Sequence, residues 1–207
     1  MAHHYTLYGR SGAGSLAPQI ILEEMGLPYK MEWIDGEAAL DPASPYRRIC
    51  PTGKIPALTL SDGSSMFESA AICTYLTDIH SELNLAPMRG TIESAQFLQW
   101  MSFLATSVYG SALRWYYAPR YTTRDDAEGT KEAALHDFDA HLQLIENNLS
   151  GYLVGEKLSA ADFYLYMLVG WHPDEYQGVR KRFPKIGALC EKIAARPAVK
   201  KVMTENS

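Results

Sequence analysis

Two short stretches of the sequence carry polar groups at positions where a folded chain binds negative charge. The first is RSGAGSLAP, Arg10–Pro18, which joins a short apolar strand to an apolar helix and contains two serines and two glycines. A glycine-containing turn that leads into a helix can direct several backbone N–H groups at one anion. The second is FESA, Phe67–Ala70, at the predicted start of another helix. Unpaired N–H groups and the helix dipole favour an anion there as well.

The side chains near these stretches also have structural explanations. Ser15 is a natural N-cap for the helix that follows it, Ser11 fits a solvated loop residue, and Tyr8 fits a half-buried strand residue. Ser69 preceded by Glu68 is equally the pattern of a capped helix with an acid at its positive end. Residue types alone leave both explanations open.

The first 80 residues mix the periods of strands and helices. HYTLYG predicts a strand, SLAPQIILEEMG a helix closed by Gly26, and YKMEWI a second strand, which together form a βαβ unit. An irregular segment around DPASPYRRICPTG precedes the strand PALTL, a turn at Asp62–Gly63, the short strand MF and the helix ESAAICTYLTDIH. This order predicts a four-stranded mixed sheet with helices on its faces, an α/β thioredoxin-like domain over residues 1–81.

Strand signals disappear after about Thr91, and the spacing of apolar residues becomes helical. Residues 91–207 are therefore predicted to form an all-α domain. One helix start is specified in detail, because Ser159 followed by Asp162 forms a variant of the capping box and Leu158 and Phe163 occupy the positions of a hydrophobic staple. The predicted helical segments are ESAQFLQWMSFLATSVYGSALRWYYA, EAALHDFDAHLQLIENNL, AADFYLYMLVGW and IGALCEKIAA.

Composition excludes several classes of function. The formal net charge is −5 with no concentrated basic stripe, which argues against a nucleic-acid partner. The stretch MAHHYTLYG lacks the features of a signal peptide, and no apolar run approaches 18 residues, so we expect a cytoplasmic protein without a membrane partner. Cys50, Cys73 and Cys190 form no C-x-x-C pair, so we expect buried small hydrophobes rather than disulfides or a metal site.

Three blocks of sequence together resemble the cytosolic glutathione S-transferases, and the resemblance covers nearly the whole chain. The blocks are SLAPQIILEEMGLPY, CPTGKIPALTLSDGSSMFESAAICTYL and GYLVGEKLSAADFYLY. The stretch GAGSLAP is most similar to the GACSLA pattern of the bacterial beta class, with Gly14 at the position of that class's cysteine. The resemblance implies the two-domain fold predicted above. It also implies a detoxifying transferase that joins the glutathione thiolate to an electrophilic, largely apolar small molecule, with glutathione as co-substrate, no other cofactor, and a homodimeric assembly.

The resemblance also implies which residues bind glutathione. The proline of the family's G-x-[IV]-P-x-L pattern is cis and corresponds to Pro56, and the backbone of Ile55 pairs with the cysteinyl part of glutathione. Ser69 and the adjacent backbone bind the γ-glutamyl carboxylate, whereas Glu68 faces the ammonium group. Lys54 is a candidate for the glycyl carboxylate, although an exposed lysine is the simpler expectation.

Because glutathione brings its own sulfur, the resemblance calls for a donor that stabilises the thiolate. The candidates, in order, are Ser11 near the serine of the theta-like classes, Tyr8 at the strand-end tyrosine of other classes, and Ser15 beside the lost cysteine. Gly14 cannot be the donor, which puts the mixed-disulfide chemistry of the beta class in doubt. The backbone N–H groups of Gly12–Ser15 are a further candidate.

The electrophile is expected between the two domains, against the first long helix of the second. Aligning Trp100 and ATSVY on beta-class residues puts Tyr109 where that class has a histidine facing the electrophile, and Trp115 lies six residues further on. An aromatic stripe at helical spacing is also typical of a core. Arg114 is a candidate for attracting an anionic group, or else an ordinary surface arginine.

Two other functions fit the same residues. A glutathione-dependent disulfide reductase, or thiol transferase, operates through bound glutathione and needs no protein cysteine. A non-catalytic transferase-like binding module often lacks the Glu-Ser pair or the loop donor. Intact Glu68, Ser69 and Pro56 count against the binding module, whereas the missing cysteine keeps it open.

Overall fold

The computed structural model describes residues 5–207, with residue 38 lacking a described side chain. It divides into two compact units. The first runs to Ala86 and includes Ala194–Ser207, and the second is Pro87–Ile193. The domain boundaries expected from sequence, 1–81 and 91–207, stay a prediction. The two units differ from these expected domains mainly because the last helix belongs to the first unit.

The first unit is built on a four-stranded mixed sheet with the order β2–β1–β3–β4. Its strands are Tyr5–Gly9 (β1), Tyr29–Trp33 (β2), Ala57–Thr59 (β3) and Ser65–Phe67 (β4). Strand β1 pairs in parallel with β2 and antiparallel with β3, and β3 pairs antiparallel with β4. The predicted thioredoxin-like arrangement is confirmed. The predicted first strand began at His4, which lies outside the described residues.

In the described part of this unit, four α-helices accompany the sheet: α1 (Leu16–Glu24), α2 (Gly36–Leu40), α3 (Ser69–Ile79) and α10 (Pro197–Glu205). Helices α1 and α3 were predicted, and they pack against each other. Helices α2 and α10 were not predicted. Helix α2 has only five residues, and the two side chains that α10 buries, Val199 and Val202, span a single helical turn.

The second unit is all-helical, as predicted. Its helices are α4 (Ile92–Phe103), α5 (Tyr109–Tyr116), α6 (Ala127–Asn148), α7 (Ala160–Val169), α8 (Glu175–Arg182) and α9 (Pro184–Ala194). The long helix predicted from residue 93 is α4 and α5 joined by one π-helical turn at Leu104–Val108. Helix α8 was missed because EYQGVRKR buries only Val179 and so has no apolar period.

The predicted start of α7 is confirmed. The buried carboxylate of Asp162 accepts hydrogen bonds from the backbone N–H of Ser159 at 2.8 Å and from the Ser159 hydroxyl at 3.0 Å. It also accepts the backbone N–H of Leu153 at 2.8 Å. Burial raises the pKa of Asp162, and these hydrogen bonds partly oppose that shift. Every residue of α7 is buried, so this capping box fixes the start of the central helix of the unit.

Residues 5–207 carry neither a membrane-spanning helix nor a metal-binding cluster, and their cysteines are buried. Within this range no helix has both the length and the apolar character needed to cross a lipid bilayer. The same residues contain no group of three or more His, Cys, Asp or Glu side chains that could hold a metal ion. Cys50, Cys73 and Cys190 are free and buried, as expected of small hydrophobes. Burial raises the pKa of the Cys190 thiol to about 12.

Candidate functional site

The register of the sheet brings the predicted glutathione-binding residues to one end. Tyr8 on β1 lies opposite Ala57 on β3, and Ala57 lies opposite Phe67 on β4. The end of β1, the start of β3 and the end of β4 therefore lie side by side. As a result, the loop after β1, Pro56 just before β3 and Glu68 just after β4 all emerge at this end of the sheet.

The peptide bond between Ile55 and Pro56 is cis, as the resemblance implies. Pro56 is buried, and Ile55 is half-buried against a small cluster that includes Tyr46 and Ala57. The Tyr46 hydroxyl donates to the backbone carbonyl of Lys54 at 2.8 Å, whereas the Lys54 side chain is exposed. The segment before β3 is thus fixed through its backbone, and its lysine extends into solvent.

Arg47, which lies in a stretch whose sequence indicates only an irregular segment, supports the backbone before β3. Its guanidinium donates to the backbone carbonyls of Leu40 at 2.7 Å and of Pro51 at 2.8 Å. Gly53 has φ +66°, and a Cβ atom there would lie 2.4 Å from the carbonyl oxygen of Ala39 and 2.6 Å from Cζ of Arg47. Only glycine fits this close approach. Arg47 therefore ties the end of α2 to the turn that leads to the cis bond.

The start of α3 departs from an ordinary helix cap. Glu68 occupies the N-cap position with φ 74° and ψ 108°, and its exposed side chain makes no capping hydrogen bond. A positive φ is uncommon outside glycine and costs on the order of 1–3 kcal/mol. Ser69, the first residue of α3, is 6% exposed. Capping therefore does not explain why Glu68 stands at the positive end of α3. Backbone strain of the kind that Glu68 shows is concentrated at functional sites.

Ser15 closes the loop that follows β1. It is fully buried, and its hydroxyl accepts the backbone N–H of Arg10 at 3.2 Å and donates to the carbonyl of Arg10 at 3.1 Å. Ser15 is at the N-cap position of α1, but its side chain makes no capping hydrogen bond, so the explanation as an ordinary N-cap is wrong. Its single hydrogen is already donated within the loop.

The two other candidate hydroxyls differ in their partners. Ser11 is exposed, and its hydroxyl donates to the backbone carbonyl of Asn206, so it is not simply solvated. Tyr8 is half-buried, with its ring 5.8 Å from the ring of Tyr46. In the described part of the chain the Tyr8 hydroxyl has no hydrogen-bond partner. Of the three predicted donors, Tyr8 is the one whose hydrogen is uncommitted.

The backbone of the same loop offers further donors. The N–H of Ala13 donates to the carbonyl of Arg10 at 3.2 Å, but the N–H groups of Gly12, Gly14 and Ser15 meet no acceptor among residues 5–207. Gly12 has φ +69°, and Gly14 and Ser15 are buried. Buried backbone donors are rarely left unpaired. Because the loop also leads into the positive end of α1, it can stabilise an anion such as a thiolate.

The predicted electrophile residues belong to the second unit. Tyr109 begins α5 directly after the π-helical turn, a feature that is frequent at functional sites. Its half-buried ring meets the ring of Trp171 edge-on, with centroids 4.9 Å apart. The backbone carbonyl of Trp171 accepts the Tyr116 hydroxyl at 2.9 Å, and Trp115 is half-buried. Trp171 was missed because it lies at the end of a predicted core helix.

Arg114 is paired inside the second unit. Its guanidinium donates to Asp137 at 2.9 Å and to the Ser111 hydroxyl at 3.3 Å. The positive charge is therefore balanced by a carboxylate. A role in attracting an anionic substrate gains no support from this geometry.

The second unit has a cavity of about 400 Å³, and none of the predicted site residues lines it. Asp139 on its wall accepts a hydrogen bond from the His172 ring at 3.0 Å and pairs with Arg182 at 2.5 Å. Arg182 also pairs with Asp174 at 2.7 Å. These charges are satisfied by one another, so they indicate a structural role. The cavity is lined by His136, Asp139, Ala140, Gln143, Arg182 and Phe183.

Comparisons with known proteins agree with the fold. The model of the glutathione S-transferase N-terminal domain matches residues 15–79, and the model of the C-terminal domain matches residues 111–206. Glutathione S-transferase GstA of Escherichia coli O157:H7 is 25% identical over 201 residues, which cover 96% of each chain. A sphingomonad glutathione S-transferase solved in complex with glutathione is 34% identical, with a TM-score of 0.83 over 97% of this chain and 98% of that chain. A beta-class glutathione S-transferase of Sphingomonas chungbukensis is 30% identical, with a TM-score of 0.83 over 98% of each chain. The chain belongs to the glutathione S-transferase family.

Proposed function

We propose that this protein joins the thiolate of glutathione to electrophilic, largely apolar small molecules. The thiol loses its proton to solvent, a sulfur–carbon bond forms, and the leaving group departs with the bonding electrons. The observation that carries the proposal is the convergence of three features at one end of the sheet: the donor-rich loop after β1, the cis bond before Pro56 and the strained start of α3.

Glutathione is proposed to bind along these three features. The backbone of Ile55 pairs with the cysteinyl part, and Lys54 extends toward the glycyl carboxylate. Ser69 and the N-terminus of α3 hold the γ-glutamyl carboxylate, because a helix N-terminus favours an anion. Glu68 faces the ammonium group, and its exposed carboxylate without a capping bond is suited to that role.

The thiolate is proposed to be stabilised by Tyr8 together with the loop N–H groups. A thiol with a pKa of about 8.5 is about 3% ionised at pH 7, and lowering the pKa by two units gives about 75%. That shift corresponds to about 2.7 kcal/mol, within the range of about 1.5–3 kcal/mol for one hydrogen bond to a charged group. We favour Tyr8 over Ser11 and Ser15 because their hydrogens are donated to Asn206 and Arg10.

The electrophile is proposed to contact Tyr109, with Trp115 as a second aromatic contact. The edge-on packing of Trp171 restrains the Tyr109 ring, so a substrate would meet a fixed aromatic surface. Such a surface suits an apolar electrophile better than a charged one. We also propose a homodimer, on the basis of family membership, and light scattering of the purified protein tests that assembly.

The glutathione-binding proposal is tested by calorimetry on Ser69→Ala, with Thr74→Ala as the matched control. The Thr74 hydroxyl donates to the carbonyl of Ala70 within α3, so its loss leaves the start of the helix intact. Ser69→Ala is expected to weaken glutathione binding about tenfold or more, the effect of losing a hydrogen bond to a carboxylate. Unchanged affinity would refute the carboxylate assignment. In a separate activity assay of the wild-type protein, turnover with disulfide substrates alone would favour a thiol transferase instead.

A further inference from the structure

The end of α10 is held against α1 by one buried amide. Gln19 is fully buried, and its Nε2 donates to the carboxylate of Glu205 at 2.8 Å. Its Oε1 accepts from Nδ2 of Asn206 at 2.8 Å. Both ends of the Gln19 side chain are thus used to hold two consecutive residues. Because a buried amide is costly to leave unpaired, this contact fixes the register of residues 205–206 on α1.

The orientation of Asn206 follows from its partners. Its Nδ2 donates to the carbonyl of Val202 at 2.8 Å as well as to Gln19, so two acceptors require the NH₂ group at that position. The backbone carbonyl of Asn206 accepts the hydroxyl of Ser11. A continuous chain of hydrogen bonds therefore runs from α1 through Asn206 to the loop after β1.

We propose that Gln19, Asn206 and Ser11 form a clamp that positions the loop Arg10–Ser15 for thiolate binding. The inference rests on the proposed function. A hydroxyl has one hydrogen to donate, and that of Ser11 goes to Asn206. Ser11 is therefore a positioning residue that acts through the loop backbone, not a direct donor to the sulfur.

The loop is held at two places by different bonds. Ser15 ties its hydroxyl to the backbone of Arg10 and closes the loop on itself. The clamp instead anchors the loop to α1 through Asn206. Losing the clamp leaves the internal closure intact but frees the loop to shift. The N–H groups of Gly12 and Gly14 would then be aimed less accurately at the sulfur.

The test is the pKa of the glutathione thiol bound to Ser11→Ala, Gln19→Leu and the double variant. Because both substitutions break the same chain of hydrogen bonds, each is expected to raise the thiol pKa by the same amount, and the double variant no further. The matched control is Thr204→Ala, since that hydroxyl donates only to the carbonyl of Lys200 within α10. The control is expected to leave the thiol pKa unchanged.

Hydrogen exchange of the free protein tests the clamp without glutathione. The hydrogen-bonded amides of Ala13 and Asn206 are expected to exchange faster in Ser11→Ala and Gln19→Leu than in the wild-type protein or Thr204→Ala, because the loop and the end of α10 lose their common anchor. Unchanged exchange in both variants would refute the clamp alone. If Gln19→Leu fails to fold, Asn206→Ala replaces it, because that change also removes the bond to Gln19.

The opposite assignment gives a different pattern. If Ser11 donates directly to the sulfur, Ser11→Ala raises the thiol pKa by about one to two units, while Gln19→Leu leaves it unchanged or lowers it. That pattern would overturn the inference. An unshifted thiol pKa in the wild-type protein would refute the proposed function and the clamp's role in it together.

Discussion

Replacing Asp162 is expected to cost more stability than any exposed helix cap in this protein. Its buried carboxylate receives the backbone N–H groups of Leu153 and Ser159 and the Ser159 hydroxyl. In Asp162→Ala both N–H groups lose their acceptor inside the second unit. In Asp162→Asn the single amide oxygen can serve one of them, so one N–H remains unpaired.

The magnitude follows from the number of buried donors that lose their acceptor. Each unsatisfied buried donor costs about 1–3 kcal/mol, so Asp162→Asn is expected to lower the free energy of unfolding by about 1–3 kcal/mol and Asp162→Ala by about twice that. For a chain of this length 1 kcal/mol corresponds to a melting shift of about 2–4 °C. Asp162→Ala should therefore melt about 10 °C lower than the wild-type protein.

Thermal and urea unfolding, followed by circular dichroism, measure these differences. The matched control is Asp126→Ala, because that carboxylate caps α6 through a single exposed hydrogen bond to Gly129 at 2.9 Å. Loss of such a cap costs about 1 kcal/mol. If Asp162→Ala is no more destabilising than Asp126→Ala, the reasoning from buried donors is wrong.

The same residue predicts a dependence of stability on pH. Burial raises the pKa of Asp162 in the folded chain above its ordinary value of 3.8. The folded protein therefore retains this proton to higher pH than the unfolded chain, and the free energy of unfolding falls as pH rises from about 3.8 through the raised pKa. Asp162→Asn should remove this part of the pH profile, and an unchanged profile would contradict the assignment.

Three further predictions follow from other parts of the structure. Glu146 accepts the backbone N–H groups of Lys185 and Ile186 at 2.9 Å each. Glu146→Ala should therefore lower the free energy of unfolding, measured by urea denaturation, by about 2–6 kcal/mol, and a loss below about 1 kcal/mol would contradict this role. Arg47→Met should weaken glutathione binding in calorimetry, because the segment before β3 loses the hydrogen bonds from Arg47 to the carbonyls of Leu40 and Pro51. The exposed Arg48→Met is the control, and equal affinities in the two variants would refute this role of Arg47. Tyr109→Leu should raise KM for the electrophile in steady-state kinetics and leave KM for glutathione unchanged, and the reverse pattern would remove Tyr109 from the electrophile site.

The sequence predicted the features that depend on neighbouring residues. Strand alternation, the turn at Asp62–Gly63 and the capping box at Ser159 and Asp162 are all local patterns, and each is found in the structure. The resemblance added the cis bond before Pro56, which residue statistics alone would not favour. The four strands and the change to an all-helical second unit follow from the same local periodicity.

Local sequence patterns do not predict contacts between residues that are far apart along the chain. Ser11 and Asn206 are 195 positions apart, so no local signal indicates that one hydrogen-bonds to the other. The packing of Trp171 on Tyr109 likewise joins α5 to the segment after α7. The partners of the Ser11 and Ser15 hydroxyls, Asn206 and Arg10, become known only from the fold. Tyr8 is favoured as the donor to the thiolate because its hydroxyl has no hydrogen-bond partner in the described residues.

The most direct test of the proposed chemistry is a pH titration of bound glutathione. Thiolate absorbance would be followed by difference spectroscopy beside a binding isotherm, for the wild-type protein, Tyr8→Phe and the exposed control Tyr121→Phe. We predict a thiol pKa about two units below 8.5 in the wild-type protein and the control, and a higher pKa with nearly unchanged affinity in Tyr8→Phe. Binding of glutathione with an unshifted thiol pKa in the wild-type protein would contradict activation and favour a binding module.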